Sequence, residues 1–503
     1  MSSLSDNRIA TEFLRRRAGS AHEYVSGKAT TPATAERRVI TREEALALAR
    51  ATLNLQSRGL IPWHGITLKH RVFRIVRVTN NTHVTSAIVD RFHLTFHTNV
   101  GSAIDFGVDT TVRDLPTLRT LIRQVEAHAA PSLRLEDAPE ELDAAWRVSA
   151  GPQTYLPVSL WHPATYEALV TSNQEITASL VRAMQPSGYT CAATIMIVGQ
   201  AALCFHPLGK IAWGEDTDSE VTASVHTADG KASGWSGQAS RNWAVLHPER
   251  VIADAIDMAA RGRNPVRVEP GRYTAILGSA AVGALFGEGM CSQFNFEDAG
   301  PLRHWPPLNG KLTKFNERVA DSRLTIWSDP TDPNFGSYPF FDDGTPSGKV
   351  TWVDKGVLKA LSYDPGTAMQ MGVTPVRQPP SFQMSGGTTS IADMIANCER
   401  GIYVHRISPF PTIMDWRSAM ALGNTRDGCF FIKNGKITSS VINFRFEESP
   451  FLMINKILAL GVPERVAFGT VRLYRMDGLP LLPIVVPPMM VQDFNFSALC
   501  DAV

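Results

Sequence analysis

The sequence predicts an α+β fold, with an antiparallel sheet and helices in the N-terminal half and a strand-rich C-terminal half. Two observations lead to this prediction. Long runs of strand type lie next to each other in the first half, without the strand–helix alternation of a parallel sheet. In the second half, hairpin turn signals follow one another closely. We therefore expect two domains, residues 41–238 and 239–503, preceded by a flexible arm over residues 1–40.

The composition is that of an ordinary globular chain. Of the 503 residues, 44% are hydrophobic, and 49 Lys and Arg against 48 Asp and Glu leave a net charge of +1. This balance creates no overall field that would attract nucleic acid or an anionic membrane. The six cysteines form no C-x-x-C pair, and the N-terminus has no apolar signal segment. We therefore expect a soluble protein in a reducing, cytoplasmic compartment.

Order is predicted to begin at Thr41, and Arg15–Arg17 in the arm before it are expected on a solvated face. Thr41-x-x-Glu44 has the pattern of a capping box, and the apolar spacing behind it predicts a helix to about Gln56. The elements predicted next are strands over Val72–Thr79 and Val84–Phe96 around the Asn80-Asn81 turn, a helix after Pro116, a helix near Ala164–Met184, and long paired strands over Thr190–His206 and Lys210–Trp235.

The C-terminal half is predicted to open with a helix over His247–Arg263 and a strand over Arg272–Leu277. A run of small residues, Ser279–Cys291, then predicts a helix that packs closely against a sheet. The remainder is predicted as strands and turns, with hairpins around Asp354-Lys355-Gly356 and Asn434-Gly435 and with helices near Ser390–Glu399 and Pro450–Leu460.

Generic catalytic motifs are absent. The sequence contains no P-loop, no G-x-S-x-G elbow and no Rossmann fingerprint. His93 and His97 share one face of a predicted strand, but polar residues on a half-exposed sheet explain them better than a metal site. Asp342 and Asp343 are paired carboxylates that could do acid–base chemistry, and the Gly-Thr-Pro turn beside them explains the pair equally well.

A specific series of segments runs through the C-terminal half. Its members are Val268–Leu277, Ala280–Phe286, Leu308–Leu312, Asp321–Pro330, Phe341–Pro346, Lys355–Lys359, Ser385–Gly387, Gly401–Val404 and Ile432–Ile437. This series resembles the TldD/PmbA family, peptidases once described as modulators of DNA gyrase. The resemblance covers about residues 41–490 and is strongest in the C-terminal half.

In that family, a TldD-type subunit carries His-Glu-x-x-x-His on a helix, where the histidines hold zinc and the glutamate handles the proton of the attacking water. A cysteine near the C-terminus completes the site. The matching stretch here is Leu285–Ser292, in which Gly287 and Ser292 stand at the histidine positions and only Glu288 remains. Gly469–Val471, where the late cysteine is expected, contains none. The resemblance therefore implies no cofactor on this chain and relates it to the metal-free PmbA-type (TldE) subunit.

Glu288 and Cys291 are the candidate catalytic residues of the former metal pocket. Without a metal, Glu288 is a lone carboxylate, for which a surface or hydrogen-bonded role is favoured. Cys291 follows an apolar run, which favours a buried, inert thiol. Cys291 and Cys429 are also the thiols that could replace the lost ligands, although the missing histidines argue against a conventional zinc site.

Three classes of function remain open. The favoured one is a metal-free subunit of a heteromeric metallopeptidase, with zinc on a TldD-type partner. Its implied substrates are unfolded or precursor peptides, including those of natural-product biosynthesis, which can bind by adding a strand to a sheet edge. The alternative is a metal-independent tailoring enzyme that uses Glu288, Cys291 or the Asp342 and Asp343 pair. The third is a binding or scaffold protein. A heterodimer is expected, a homodimer stays open, and neither nucleic acid nor membrane is expected as a partner.

Overall fold

A computed structural model of the chain describes residues 3–20, 39–55, 63–98, 103–129, 150–171, 180, 182–184, 188–287, 294, 300–363, 365–374, 376, 381–408, 411–468 and 483–500. Their helices confirm the helical part of the α+β prediction. In chain order the helices are α1 (Leu4–Ser20), α2 (Arg42–Leu53), α3 (Leu115–Ala129), α4 (Pro163–Val170), α5 (Pro248–Arg261), α6 (Ser279–Phe286), α7 (Pro365–Gln370), α8 (Ile391–Ala396) and α9 (Pro450–Met453). None of these helices is both long and apolar enough to cross a bilayer.

The N-terminal half contains the predicted antiparallel sheet. Its strands are β1 (Trp63–Thr79), β2 (Thr82–Thr98), β3 (Ala103–Gly107), β4 (Tyr189–Phe205), β5 (Ile211–Thr227) and β6 (Ser233–Ser240). They lie in the order β3-β2-β1-β4-β5-β6, and β1 pairs with both β2 and β4 over most of its length. At the turn between β1 and β2, Asn80 and Asn81 both have positive φ, of 50° and 62°. Asparagine tolerates this conformation, so the turn prediction is confirmed.

The first helix corrects the prediction of a flexible arm for residues 4–20, while residues 21–38 of that arm lie outside the described residues. Leu4–Ser20 is helical, and its N-terminus is capped because Ser3 Oγ accepts from the N–H of Asp6 at 3.0 Å while Asp6 Oδ2 accepts from the N–H of Ser3 at 2.8 Å. Phe13 and Leu14 are fully buried in the N-terminal core. Burial of this apolar stripe stabilises the helix against the sheet, despite the polar composition around it.

A buried ion pair attaches α1 to the sheet. Arg17 is only 2% exposed, which corrects its expected place on a solvated face, and its Nε donates to Asp90 Oδ1 at 2.8 Å. The other carboxylate oxygen lies 3.1 Å from Nε2 of His70, whose Nδ1 accepts from the N–H of Ile40 at 2.9 Å. Because Nδ1 accepts, the ring is neutral with its hydrogen on Nε2. Burial lowers the pKa of His70 by more than the neighbouring Asp90 raises it, so the pKa lies below its usual value. Burial raises the pKa of Asp90, but His70 and Arg17 hold it at about 2.

The stability of the fold should therefore decline as the pH falls below about 6.5, the ordinary pKa of histidine. A group whose pKa is lowered in the folded state stabilises the fold above its unfolded pKa, because on acidification the unfolded chain takes up the proton first. We expect His70 to account for a measurable part of the loss between pH 7.5 and pH 5.5. Denaturant unfolding at both pH values measures it, with His70→Gln as the control, since glutamine keeps a donor and an acceptor without titrating. Equal pH dependence in the two proteins would contradict the assignment.

The C-terminal half is strand-rich, as predicted. Its strands are β7 (Gly271–Leu277), β8 (Arg303–Leu308), β9 (Lys311–Thr313), β10 (Ile326–Ser328), β11 (Val350–Asp354), β12 (Val357–Leu358), β13 (Phe382–Met384), β14 (Arg400–Ile407), β15 (Thr412–Asp415), β16 (Met420–Lys433), β17 (Lys436–Ser440), β18 (Phe444–Glu448), β19 (Ile457–Leu460), β20 (Glu464–Arg465), β21 (Ile484–Val486) and β22 (Met489–Leu499). The helix predicted over Pro450–Leu460 is wrong in its second half, because Ile457–Leu460 pairs with β22 instead.

Five of these strands close into a barrel. β7 pairs with β22, β22 with β18, β18 with β16, β16 with β14, and β14 in parallel with β7. Phe444, Phe446, Phe494 and Phe496 lie where β18 and β22 meet, at most 1% exposed. Their ring centroids are 5.0 to 5.5 Å apart between neighbours, so the rings pack as tilted aromatic pairs.

A second sheet and two helices complete the part that positions the candidate site. This sheet has the order β12-β11-β10-β13-β21-β20, with β13 parallel to β21. Helix α6 contacts β14 of the barrel and β21 of the second sheet. Helix α5 packs on β5 and β6 of the N-terminal sheet, where a Cβ at Gly234 would collide with the backbone of Ala255. The domain boundary near residue 238 stays a prediction.

Candidate functional site

Helix α6 is the described part of the segment whose sequence resembles the metal motif of TldD-type subunits. A Cβ at Gly283 would lie 2.6 Å from Cγ2 of Val466, so glycine lets the segment at Val466 contact the helix directly. The helix ends at Phe286 and Gly287 follows as its C-cap. The candidates Glu288 and Cys291, and Ser292 at the second histidine position, lie outside the described residues. The structure therefore places the beginning of the motif, between the barrel and β21, but not these three residues.

The donor set of α6 does not fit the zinc of the family's TldD-type subunits. Gly287 has no side chain at the first ligand position, and the sequence places Ser292 at the second. Among the residues that the structure describes, no three His, Cys, Asp or Glu side chains converge to hold a metal ion. Cys429, considered as a replacement ligand, lies within β16, and burial raises the pKa of its thiol to about 12.

A linking segment, residues 464–468, connects α6 to the N-terminal sheet. At its first residue, Glu464 Oε2 accepts from Ser279 Oγ at 2.9 Å, at the beginning of α6. Arg465 then donates from Nη2 to both carboxylate oxygens of Asp218 on β5, at 2.7 Å each. The N–H of Phe468 donates to Glu220 on the same strand at 3.1 Å. The segment thus contacts the motif helix on one side and the N-terminal sheet on the other.

Three acidic residues of β5 form the N-terminal side of this contact. Asp216, Asp218 and Glu220 alternate along the strand, so their side chains share one face, and each residue is at most 5% exposed. Asp216 accepts from Arg241 Nη1 at 2.8 Å and from the hydroxyl of Tyr338 at 2.9 Å. Burial, together with the Asp216 charge, raises the pKa of Tyr338 well above its usual range. The acidic face of β5 therefore joins the two halves of the chain through buried, charge-assisted hydrogen bonds.

A second contact joins β6 to the barrel. The guanidinium of Arg406 lies 4.5 Å from the ring centroid of Trp235 and donates to Asp427 at 2.9 Å. His405 lies between Trp235 and Tyr403. Its Nε2 is 2.9 Å from the Trp235 carbonyl oxygen, and its Nδ1 is 3.1 Å from the Tyr403 hydroxyl. Burial lowers the pKa of His405, so the neutral ring donates from Nε2 to the carbonyl and accepts from the tyrosine.

The structure places Asp342 and Asp343 on a turn that contacts the N-terminal sheet. The Asp342 carboxylate pairs with Lys69 Nζ at 2.9 Å, and the Asp343 carboxylate accepts from the N–H of Thr345 at 2.9 Å. Lys210 Nζ donates to the carbonyl oxygen of Asp343 at 2.8 Å. Each carboxylate thus has a structural partner of its own, as the turn interpretation of the pair expects.

The two histidines on β2 do not converge on a common ligand. Nε2 of His97 lies 2.8 Å from Thr67 Oγ1, whereas Nδ1 of His93 lies 3.3 Å from Asp105 Oδ2. Burial lowers the pKa of His97 to about 4, so its ring is neutral at physiological pH. Cys204, next to the same threonine, is fully buried, and burial raises its pKa to about 12. This polar cluster therefore holds neither a strong base nor a thiolate near neutral pH.

The sequence analysis did not identify the acidic face of β5 or its partners. The alternation of Asp216, Asp218 and Glu220 within a predicted strand is visible in the sequence, because acidic residues two apart occupy one face. What it cannot show is that this face is buried. Arg465 lies 247 residues beyond Asp218, and no local pattern links the two.

Parts of the chain are similar in sequence to known proteins. Residues 270–498 match the family model described as the PmbA/TldA metallopeptidase C-terminal domain. A metalloprotease of Archaeoglobus fulgidus is 45% identical over 65 residues, which is 13% of this chain and 15% of that protein. A metalloprotease TldD homolog of Buchnera aphidicola is 26% identical over 226 residues, which is 41% of this chain and 44% of that protein. The chain thus matches less than half of the length of either relative.

Comparison with solved structures covers nearly the whole chain. TldE from Thermococcus kodakarensis has a TM-score of 0.70 at 14% identity, covering 90% of this chain and 99% of TldE. A protein described as a modulator of DNA gyrase from Bacteroides thetaiotaomicron has a TM-score of 0.71 at 17% identity, covering 92% of this chain and all of that one. Residues 270–498 therefore have the sequence pattern of a PmbA/TldA metallopeptidase C-terminal domain, and the chain as a whole has the fold of TldE and the modulator-of-gyrase proteins.

Proposed function

We propose that this chain is the metal-free, PmbA/TldE-like subunit of a heteromeric TldD/PmbA-type metallopeptidase. The observation that carries the proposal is the loss of both histidines from the motif that begins with helix α6. Helix α6 keeps its place between the barrel and β21, but Gly287 and Ser292 provide no imidazole at the ligand positions. The likeness to TldE over 99% of its length supports the same proposal at the level of the fold. In the complex, a TldD-type subunit supplies the zinc.

The described residues support a binding role rather than a catalytic one. Amide hydrolysis needs a polarised carbonyl and an activated water. Burial lowers the pKa of both His97 and His206 to about 4, which makes them weak bases at neutral pH. Burial raises the pKa of Cys204 and of Cys429 to about 12, so both remain thiols. In this proposal the chain forms walls of the chamber in which the partner cleaves an extended peptide, including precursor peptides of natural products.

Reconstitution with a TldD-type subunit of the same organism tests this function. The isolated chain should not cleave an unstructured peptide, and the mixture should, with activity lost when the motif glutamate of the partner is changed to glutamine. Glu288→Gln and Cys291→Ala on this chain should change the rate by less than about twofold, because in this proposal the metal and the motif glutamate of the partner perform the chemistry. Elemental analysis should find well below one zinc per isolated chain.

The opposite results define the alternative function. Turnover by the isolated chain that is lost on Glu288→Gln or Cys291→Ala would contradict a metal-free subunit. It would instead support a metal-independent tailoring enzyme in the former pocket. One tightly bound zinc per isolated chain, lost on Cys291→Ala or Cys429→Ala, would contradict the proposal in a different way, by identifying replacement ligands.

A further inference from the structure

A two-stranded ribbon stands apart from the sheets of the C-terminal half. Strands β8 and β9 pair with each other and, among the described strands, with no other. No residue of Arg303–Leu308 or Lys311–Thr313 is buried, and Trp305, Leu308 and Leu312 are 41%, 54% and 40% exposed. An isolated two-stranded hairpin is at best marginally stable in water. The ribbon therefore exposes large apolar side chains without contributing a face to the core.

A second hairpin extends this apolar surface. Met414 on β15 is 62% exposed, and Trp416 at the turn between β15 and β16 is 53% exposed. The guanidinium of Arg417 from this turn lies 5.1 Å from the ring centroid of Trp305, which brings the turn next to the ribbon. Phe315, 47% exposed, follows directly after β9. We name these side chains together the ribbon surface, which comprises Trp305, Leu308, Leu312, Phe315, Met414 and Trp416.

The size of the ribbon surface suits a protein interface. At roughly 200 Å² for a fully exposed large side chain, the six residues together expose on the order of 600 Å² of apolar area. That is the upper end of what a typical monomer leaves exposed in one patch. A standard interface buries about 800 Å² per partner, of which a little more than half is apolar. The ribbon surface therefore supplies the apolar part of one standard interface.

The charged residues around the ribbon surface and the backbone of its strands indicate what kind of partner binds there. Lys314 and Arg417 border the ribbon surface, and a second guanidinium, from Arg303, lies 5.1 Å from the Trp305 centroid. The acidic neighbours already have partners, since Glu317 contacts His304 and Lys311 and Asp415 accepts from the N–H and the hydroxyl of Ser418. A complementary surface is therefore apolar with a carboxylate rim. The outer edge of β9 pairs with no other described strand, and another chain can hydrogen-bond such an edge whereas a lipid bilayer cannot.

Building on the proposed function, we infer that the ribbon surface is where this chain docks the TldD-type subunit. In the proposed function the subunit without metal ligands requires a partner for activity, and the ribbon surface is a large apolar area that stays exposed in the described part of the chain. In the complex the ribbon lies against the partner, where Trp305, Leu308 and Trp416 are buried by apolar side chains. The cations around them then face carboxylates of the partner.

Binding measurements with the purified TldD-type subunit test this surface. We expect Leu308→Ser and Trp416→Ser each to raise the Kd at least tenfold, because apolar and aromatic anchors dominate interface energies. Leu208→Ser is the matched control. Leu208 is 58% exposed at the turn between β4 and β5 of the N-terminal sheet, so its change should alter the Kd by less than about twofold. All three side chains are exposed, so the melting temperature of the isolated chain should not change.

Each other outcome overturns the inference in a recognisable way. If the complex forms and the ribbon variants bind as wild type does, the ribbon surface is not the interface, while the proposed function stands. If wild-type chain and TldD-type subunit do not associate at all, both fail. A homodimer of the isolated chain that the ribbon variants dissociate assigns the surface to a second copy. Binding to vesicles of phosphatidylserine and phosphatidylcholine that the same variants abolish assigns it to a membrane.

Discussion

Replacing Arg241 with alanine should lower the free energy of unfolding by about 3–5 kcal/mol, because removing one partner of a buried ion pair leaves the other charge without compensation. Arg241 is 4% exposed and bonds to Asp216 at 2.8 Å and to the carbonyl oxygen of Gly336 at 2.5 Å. In the variant, Asp216 keeps the hydroxyl of Tyr338 but loses its counter-charge. Denaturant unfolding at pH 7 measures the change.

One comparison shows whether the charge is responsible. Tyr338→Phe removes one hydrogen bond to Asp216 and leaves the ion pair, so we expect a loss of only about 1–2 kcal/mol. A loss below about 1 kcal/mol in Arg241→Ala would show that the pair does not hold the two halves together.

Phe444→Ala should cost a similar amount, about 3–5 kcal/mol, for a different reason. Phe444 is fully buried, and its ring centroid lies 5.0 Å from that of Phe496 on the neighbouring strand of the barrel. Alanine leaves a cavity that the closed strands around it cannot fill by moving inward. Thermal or denaturant unfolding of the isolated chain measures the loss.

The matched control for this prediction is Phe315→Ala. Phe315 is 47% exposed, so the same truncation should change the free energy of unfolding by no more than about 0.5 kcal/mol. Phe444→Leu, which refills most of the volume, should fall between the two. Equal effects of the changes at Phe444 and Phe315 would mean that the barrel interior is not packed as described.

The elements that could be predicted from the sequence are those specified by short-range patterns. The capping box of Thr41 and Glu44 is present at the start of α2. The Asn434-Gly435 turn has both residues at positive φ, of 52° and 74°, between the paired strands β16 and β17. Helix α1 has a comparable signal in Ser3-x-x-Asp6, which the sequence analysis did not identify.

The contacts that could not be predicted join residues distant in the sequence. Val404 on β14 pairs with Leu277 on β7, and Arg465 bonds to Asp218, yet nothing in either local pattern specifies the partner. For the candidate site, the sequence identified the loss of the two histidine positions, because side-chain chemistry alone decides it. It did not show that residues 464–468 connect α6 to the N-terminal sheet, since that depends on how the two halves pack.

The closed barrel has a consequence for the order in which the chain acquires its structure during synthesis. The long strands of the N-terminal sheet are complete by Ser240, so this sheet can form while the remainder is still being translated. Strand β7 ends at Leu277, but its antiparallel neighbour β22 begins only at Met489. At about 5–20 residues per second, β7 waits at least some ten seconds for that neighbour to emerge from the ribosome. During this interval the edge of β7 that later pairs with β22 is open. We therefore expect the nascent C-terminal half to bind a chaperone.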